Sequence, residues 1–157
     1  MKVLDRVPTE LQGMQVYREF IERYEQGAPW AGYTDQEVRG RYQALIPLLR
    51  PDQFAWAAER SLERFSPRNR MLFGQYIQRQ AVEAGLSIPG LEEADAAASF
   101  RQAAVLGRIL ADIQRERPYA LDRLLGCRGG ILDSLLLKAA LAGIVAEGAR
   151  ALLLEKH

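Results

Sequence analysis

Apolar residues recur at helical spacing along most of the chain, between proline, glycine and capping residues. In the first segment Thr9 and Gln12 have the spacing of a capping box, and Gly27-Ala28-Pro29 ends the apolar repeat. The apolar residues between them share one helical face: Met14, Tyr17, Phe20, Ile21 and Tyr24. This pattern predicts a first helix that stops before residue 27.

A second helix is predicted to begin after Thr34. Thr34 and Glu37 form another capping-box pair, and apolar residues follow at helical spacing from Val38. Pro47 removes a backbone donor and restricts the residue before it. The helix should therefore end or bend near residue 45.

Proline then marks the first turn of two further helices. Pro51 opens one of them, and the Ser66-Pro67 pair caps and opens the next. Proline is tolerated at this position because the first backbone N–H groups of a helix have no intrahelical partner. Gly85 and Pro89 give the first plausible break in the chain.

The second half of the chain differs from the first in amino-acid composition. Residues 91–116 are rich in alanine and predict one long helix, and Pro118 should open a short one. Residues 126–130 have the composition of a flexible hinge. Asp133 or Ser134 is placed to cap a last helix that runs towards Leu154.

These patterns predict an all-α protein, a multi-helix bundle of six or seven helices with short connections punctuated by proline and glycine. No segment shows the sustained alternation of a strand. We divide the chain into an N-terminal helical region (residues 1–86), an alanine-rich helical region (87–126) and a C-terminal apolar helix (131–157). One domain of residues 1–157 is the alternative.

The last helix is apolar around most of its circumference. Such a helix is the centre of the bundle, a surface for self-association, or a helix lying on a membrane surface. Small residues such as Ala142 and Gly143 would let other helices approach closely. Under the second interpretation the interaction residues are its larger apolar side chains: Leu135, Leu137, Leu141, Ile144, Val145 and Leu152.

Composition then removes several classes of function. The chain has 157 residues with a net charge of +1, so no global field draws it to nucleic acid or to an anionic membrane. The only cysteine is Cys127 and the only histidine is His157, which excludes an internal disulfide and catalysis by Ser-His-Asp or Cys-His. No phosphate-binding loop, dinucleotide fingerprint or catalytic serine motif is present, and we expect no catalytic residue, metal or cofactor.

A local excess of arginine provides the alternative function. Residues 60–79 hold five arginines and one acidic residue, a local charge of +4. Two predicted helices meet there in a short turn, a spacing compatible with a helix-turn-helix that places the start of its second helix against DNA bases. The nucleic-acid-binding candidates are Arg60, Arg64, Arg68, Asn69, Arg70 and Arg79.

Two stretches resemble a group of small bacterial all-helical proteins to which no activity is assigned. The first reads Tyr-Arg-Glu-Phe from Tyr17 and continues through Pro29-Trp30 into Tyr33. The second is Lys-Ala-Ala-Leu-Ala-Gly-Ile, from Lys138. The resemblance implies a bacterial helical protein and identifies no functional residue.

We therefore expect a cytoplasmic, non-enzymatic interaction or assembly module. It would self-associate or bind a protein partner through the last helix. A nucleic-acid-binding protein that uses the arginines of residues 60–79 is the alternative. No signal peptide or transmembrane segment is predicted, and contact with a membrane surface is the weakest of the three interpretations of the last helix.

Overall fold

The structure, a computed structural model, describes residues 18, 21–23, 25–26, 33–92, 96–124 and 131–155. Residues 21–23 and 25 are helical, and a 3₁₀ turn covers Ile46–Leu48. The other helices are α1 (Asp35–Leu45), α2 (Pro51–Glu63), α3 (Pro67–Ala84), α4 (Pro89–Glu92), α5 (Ala96–Ser99), α6 (Ala103–Glu116), α7 (Ala120–Arg123) and α8 (Ile131–Glu155). No strand occurs in these ranges, and the predicted all-α multi-helix bundle is confirmed.

Several helices begin and end where local sequence signals predict. The amide of Glu37 donates to Thr34 Oγ1 at 3.0 Å, and the amide of Thr34 donates to Glu37 Oε1 at 3.0 Å, which completes the capping box of α1. Ser66 Oγ accepts the amide of Asn69 at 3.1 Å and caps α3. Helix α3 ends at Gly85, whose φ of 70° lies in the left-handed region that favours glycine.

The alanine-rich segment is not the single helix that the sequence predicts. Its described residues belong to α4, α5 and α6, and the chain turns at residues 100–102, between α5 and α6. Phe100 is fully buried there, and Gln102 has the extended backbone of an N-cap. Burial of the phenyl ring therefore outweighs the helix propensity of the alanines.

Helix α8 lies at the centre of the bundle. Every residue from 139 to 149 is buried. Ser61 Oγ of α2 donates to the carbonyl of Ala140 at 2.9 Å, whereas Leu49, just before α2, lies against Gly148. Helices α2 and α8 therefore run in opposite directions. The helix begins at Ile131, so Asp133 lies within its first turn and does not cap it, contrary to the sequence prediction.

Helix α6 packs on the opposite side of α2. A Cβ atom added to Gly107 would come 3.0 Å from the backbone of Glu59, so the two helix backbones approach closely at this point. Helix α2 is thus held between α8 and α6. Its N-terminal end, the 3₁₀ turn and the C-terminal half of α6 surround a cavity of about 500 Å³.

A buried carboxylate lies within the central helix. Glu147 is almost wholly buried, and its Oε1 lies 3.5 Å from Arg60 Nε of α2 and 3.8 Å from Arg150 one turn further along. Arg150 also forms an ion pair with Glu25. Because an unpaired buried charge is strongly destabilising, this network fixes α2 and the N-terminal helical residues against α8.

Candidate functional site

Two adjoining cavities form a groove on the face made by α1, the 3₁₀ turn, α6 and α7. The larger one, here called the apolar cavity, has a volume of about 500 Å³. The smaller one, the carboxylate cavity, has a volume of about 280 Å³. Ile46 and Gln114 line both cavities, so the two cavities adjoin at these side chains, and together they are called the groove.

The apolar cavity has hydrocarbon walls and charged residues at its opening. Most of its buried and half-buried lining residues are aliphatic or aromatic, and Asp112 and Gln114 are the half-buried polar ones. The apolar ones are Ile46, Leu49, Phe54, Ala55 and Ala111. Arg115 pairs with Asp112 at 3.0 Å, and Asp52 pairs with Arg50 at 3.1 Å. Arg108 is exposed at the same opening. The hydrogen bond that the Arg50 guanidinium donates to Asp52 is the main cause that lowers the pKa of Asp52, so this carboxylate stays ionised.

The carboxylate cavity is defined by Asp122, whose side chain is only 1% exposed. Gln43 Nε2 donates to Asp122 Oδ2 at 2.6 Å, and Arg39 Nε lies 3.6 Å from the same oxygen. Asp122 Oδ1 has no hydrogen-bond partner among the described residues. A carboxylate oxygen in such a position retains unused acceptor capacity in a place where water is largely excluded.

A chain of hydrogen bonds holds Gln114 where the two cavities adjoin. Tyr42 Oη donates to Gln114 Oε1 at 2.7 Å, and Gln114 Nε2 donates to the carbonyl of Pro118 at 2.9 Å. Burial raises the pKa of Tyr42 well above its ordinary value, and the charge of Asp122 raises it further. The tyrosine hydroxyl is therefore neutral, and its proton is used in the hydrogen bond to Gln114.

The six interaction residues predicted on the last helix have different positions. Five of them are buried within this chain: Leu137, Leu141, Ile144, Val145 and Leu152. Leu135 is 50% exposed, and Leu132, one turn before it, is 48% exposed. Among the residues of α8 whose exposure is described, the exposed large apolar side chains are Leu132 and Leu135 in its first turns and Leu154 near its end.

Most of the predicted nucleic-acid-binding residues make contacts within the chain. Arg70 donates to the carbonyl of Phe65 at 2.6 Å, to that of Arg101 at 2.6 Å and to that of Leu62 at 3.1 Å. Arg79 pairs with Asp133 at 3.3 Å.

The other four candidates do not form one free cationic surface. Arg60 pairs with Glu147 and stacks over the ring of Trp56 at 5.2 Å, and Asn69 takes part in the cap of α3. Arg64 and Arg68 are exposed. Nucleic-acid binding by this surface stays a prediction, with fewer side chains available than the sequence suggests.

Sequence reasoning did not single out Asp122, Gln43 or Gln114. Each of them is an ordinary polar residue on a helical segment, and the contacts that define the site join positions 79 and 72 residues apart. In the sequence Tyr42 belongs to an aromatic group with Trp30, Tyr33 and Tyr24, and such groups more often plug the end of a bundle than line a pocket. Trp30 and Tyr24 lie outside the described residues.

No protein-family model, curated protein or solved structure matches the chain. Within the described ranges no group of three or more His, Cys, Asp or Glu side chains is arranged to hold a metal ion. None of the described helices is both long and apolar enough to span a bilayer.

Proposed function

We propose that this chain is a non-enzymatic helical binding protein that holds its ligand in the groove. The observation that carries the proposal is the junction of the two cavities at Ile46 and Gln114. Ligand sites are usually concave, mostly apolar and about 300–1,000 Å³ in volume, with a few fixed polar groups. The groove has this combination of properties.

The polar groups of the groove are held before any ligand arrives. Gln114 is fixed at both ends of its amide, by Tyr42 and by the carbonyl of Pro118. Gln43 is fixed on Asp122. Side chains that are already ordered lose little conformational entropy on binding, which favours recognition of a defined ligand.

A neutral hydrophobic dye, N-phenyl-1-naphthylamine, tests whether the apolar cavity binds ligands. We expect a saturable increase in its fluorescence with one site per chain. Ala111→Trp would fill the cavity and should abolish the signal. Ala104→Trp, an exposed alanine on the same helix, is the matched control and should leave the signal unchanged. Equal binding by both variants would place the dye elsewhere and refute the proposal.

Self-association through the last helix is the second candidate, favoured by the exposed Leu132 and Leu135 on one side of α8. These residues lie three positions apart and so share a helix face. Leu132→Glu combined with Leu135→Glu should convert an oligomer into a folded monomer, as measured by light scattering on a sizing column. A monomer at every concentration of the unmodified chain would rule this candidate out.

A further inference from the structure

We infer that the ligand of the groove is a free amine with a primary ammonium group on an alkyl chain. The ammonium group would lie against Asp122 in the carboxylate cavity. The alkyl chain would pass Gln114 and fill the apolar cavity. This inference rests on the proposed function, since it names the class of ligand for the same groove.

The first argument is the incomplete pairing of a buried carboxylate. Asp122 Oδ2 accepts a hydrogen bond from Gln43, but Oδ1 accepts none among the residues described. Arg39 supplies a positive charge 3.6 Å away, yet its Nε forms no hydrogen bond there, and its side chain is 39% exposed. A buried carboxylate with a vacant oxygen gains from a donor that carries a full positive charge.

The second argument is the set of acceptors that the cavity offers. A primary ammonium has three N–H donors and no acceptor. Asp122 and Tyr42 line the same cavity. The hydroxyl proton of Tyr42 is directed at Gln114 Oε1, so the lone pairs of Tyr42 Oη remain able to accept a hydrogen bond. Asp122 lines this cavity and Arg39 does not, so the charge that a ligand meets there is the carboxylate, which favours a cation over an anion.

The third argument is the length of the apolar wall. Beyond Ile46 the groove continues along Leu49 and Phe54, in the larger of the two cavities. If the ammonium group belonged to a lysine of a peptide, only four methylene groups would follow it, and the polar peptide backbone would then lie against these hydrocarbon walls. A free alkylamine longer than butylamine continues as hydrocarbon and fits the cavity better.

Titration of the full chain with a series of n-alkylammonium ions tests this inference, with calorimetry or amide chemical shifts as the readout. Butyl-, hexyl- and octylammonium should bind with an affinity that rises by about fourfold per methylene. Hexanoate should not bind, and 1-hexanol should bind more weakly than hexylammonium. An affinity that stops rising at butylammonium would overturn the assignment of the alkyl chain to the apolar cavity.

Two substitutions test the role of Asp122 from opposite directions. Asp122→Asn should weaken hexylammonium binding by about 10- to 100-fold. Asp133→Asn, at a carboxylate that pairs with Arg79 and lines neither cavity, is the matched control and should leave binding nearly unchanged. Arg39→Met removes the competing cation and should strengthen binding several-fold. This second variant keeps the test decisive if Asp122→Asn does not fold.

The failure of this inference can be distinguished from that of the proposed function. Binding of N-phenyl-1-naphthylamine without binding of alkylammonium ions would leave the groove as a site but remove the amine as its ligand. Equal affinities of hexylammonium and 1-hexanol would do the same. Unchanged hexylammonium affinity in Arg39→Met would show that Asp122 does not face the bound ion.

Discussion

Gly74 lies in the middle of α3, where the buried Phe100 occupies the space that any side chain would need. A Cβ atom added to Gly74 would come 2.4 Å from Phe100 Cγ, 2.5 Å from Cδ2 and 2.7 Å from Cβ. Nonbonded carbon atoms normally lie about 3.5–4.0 Å apart. Because the Cβ atom of Phe100 is itself too close, rotation of the ring cannot relieve the contact, and the backbone of residues 100–102 must move.

The expected effect of Gly74→Ala is a balance of two opposing contributions. Alanine in place of glycine stabilises a helix interior by about 1 kcal/mol. Overpacking of a filled core costs about 1–3 kcal/mol, and three contacts this short place Gly74→Ala in the upper part of that range. We expect a net loss of about 1–2 kcal/mol in the free energy of unfolding.

Gly40→Ala provides the matched control. Gly40 is an exposed glycine inside α1, and nothing lies within 4 Å of a Cβ atom added there. This variant should gain about 0.5–1 kcal/mol, because only the helix propensity changes. Urea unfolding followed by circular dichroism measures both variants, and the slope m should stay constant while the midpoints move in opposite directions.

A double-mutant cycle with Phe100→Ala identifies the cause. Removal of the ring eliminates two of the three short contacts, so Gly74→Ala should be less destabilising in the Phe100→Ala background than in the unmodified chain. If Gly74→Ala stabilises the protein as much as Gly40→Ala does, the close packing of α3 against Phe100 is wrong.

Three further substitutions test individual interactions. Burial raises the pKa of Tyr42, so the folded state keeps the hydroxyl proton at a pH where the unfolded state has lost it. The contribution of this proton to the free energy of unfolding is fully present below a pH of about 10 and should decline above it. Urea unfolding at alkaline pH should show that Tyr42→Phe removes this part of the decline. The hydrogen bonds with Thr34, the backbone one first, lower the pKa of Glu37. The stabilisation that they provide is present above the ordinary pKa of Glu37 and is lost as the pH falls through its lowered pKa in the folded state. Glu37→Gln should abolish this dependence of stability on acid pH. Arg70→Met should cost about 1–3 kcal/mol in urea unfolding, because it removes the hydrogen bonds from this guanidinium to three carbonyl groups; of these, the carbonyl of Leu62 keeps the one from the amide of Phe65. A similar loss in Arg68→Met would contradict this reasoning.

Much of the helical framework follows from short-range signals in the sequence. Thr34 with Glu37 and Ser66 with Pro67 act on amide groups within one turn, so their effect can be read from neighbouring residues. The break at residues 100–102 cannot be predicted in this way. It depends on the packing of Phe100 against Gly74, a contact between residues far apart in the chain.

The candidate site was hidden from the sequence for the same reason. Asp122 is a polar residue on a four-residue helix, and only the fold brings Gln43 and Arg39 to its carboxylate. The contacts of the arginine-rich segment likewise depend on the fold. Arg70 has the local features of a phosphate ligand, yet it donates to carbonyl groups near the end of α2.

The central position of α8 has a consequence for the order in which the protein can fold during synthesis. All of the other described helices precede α8 in the chain, so they leave the ribosome before the segment that fills the space between them. Until that segment arrives, the faces of α1 and α2 that carry Leu45 and Ser61 lack the helix that covers them. Nascent chains that stop before α8 should therefore be targets for chaperones and proteases, and completion of the fold awaits translation of residues 131–155.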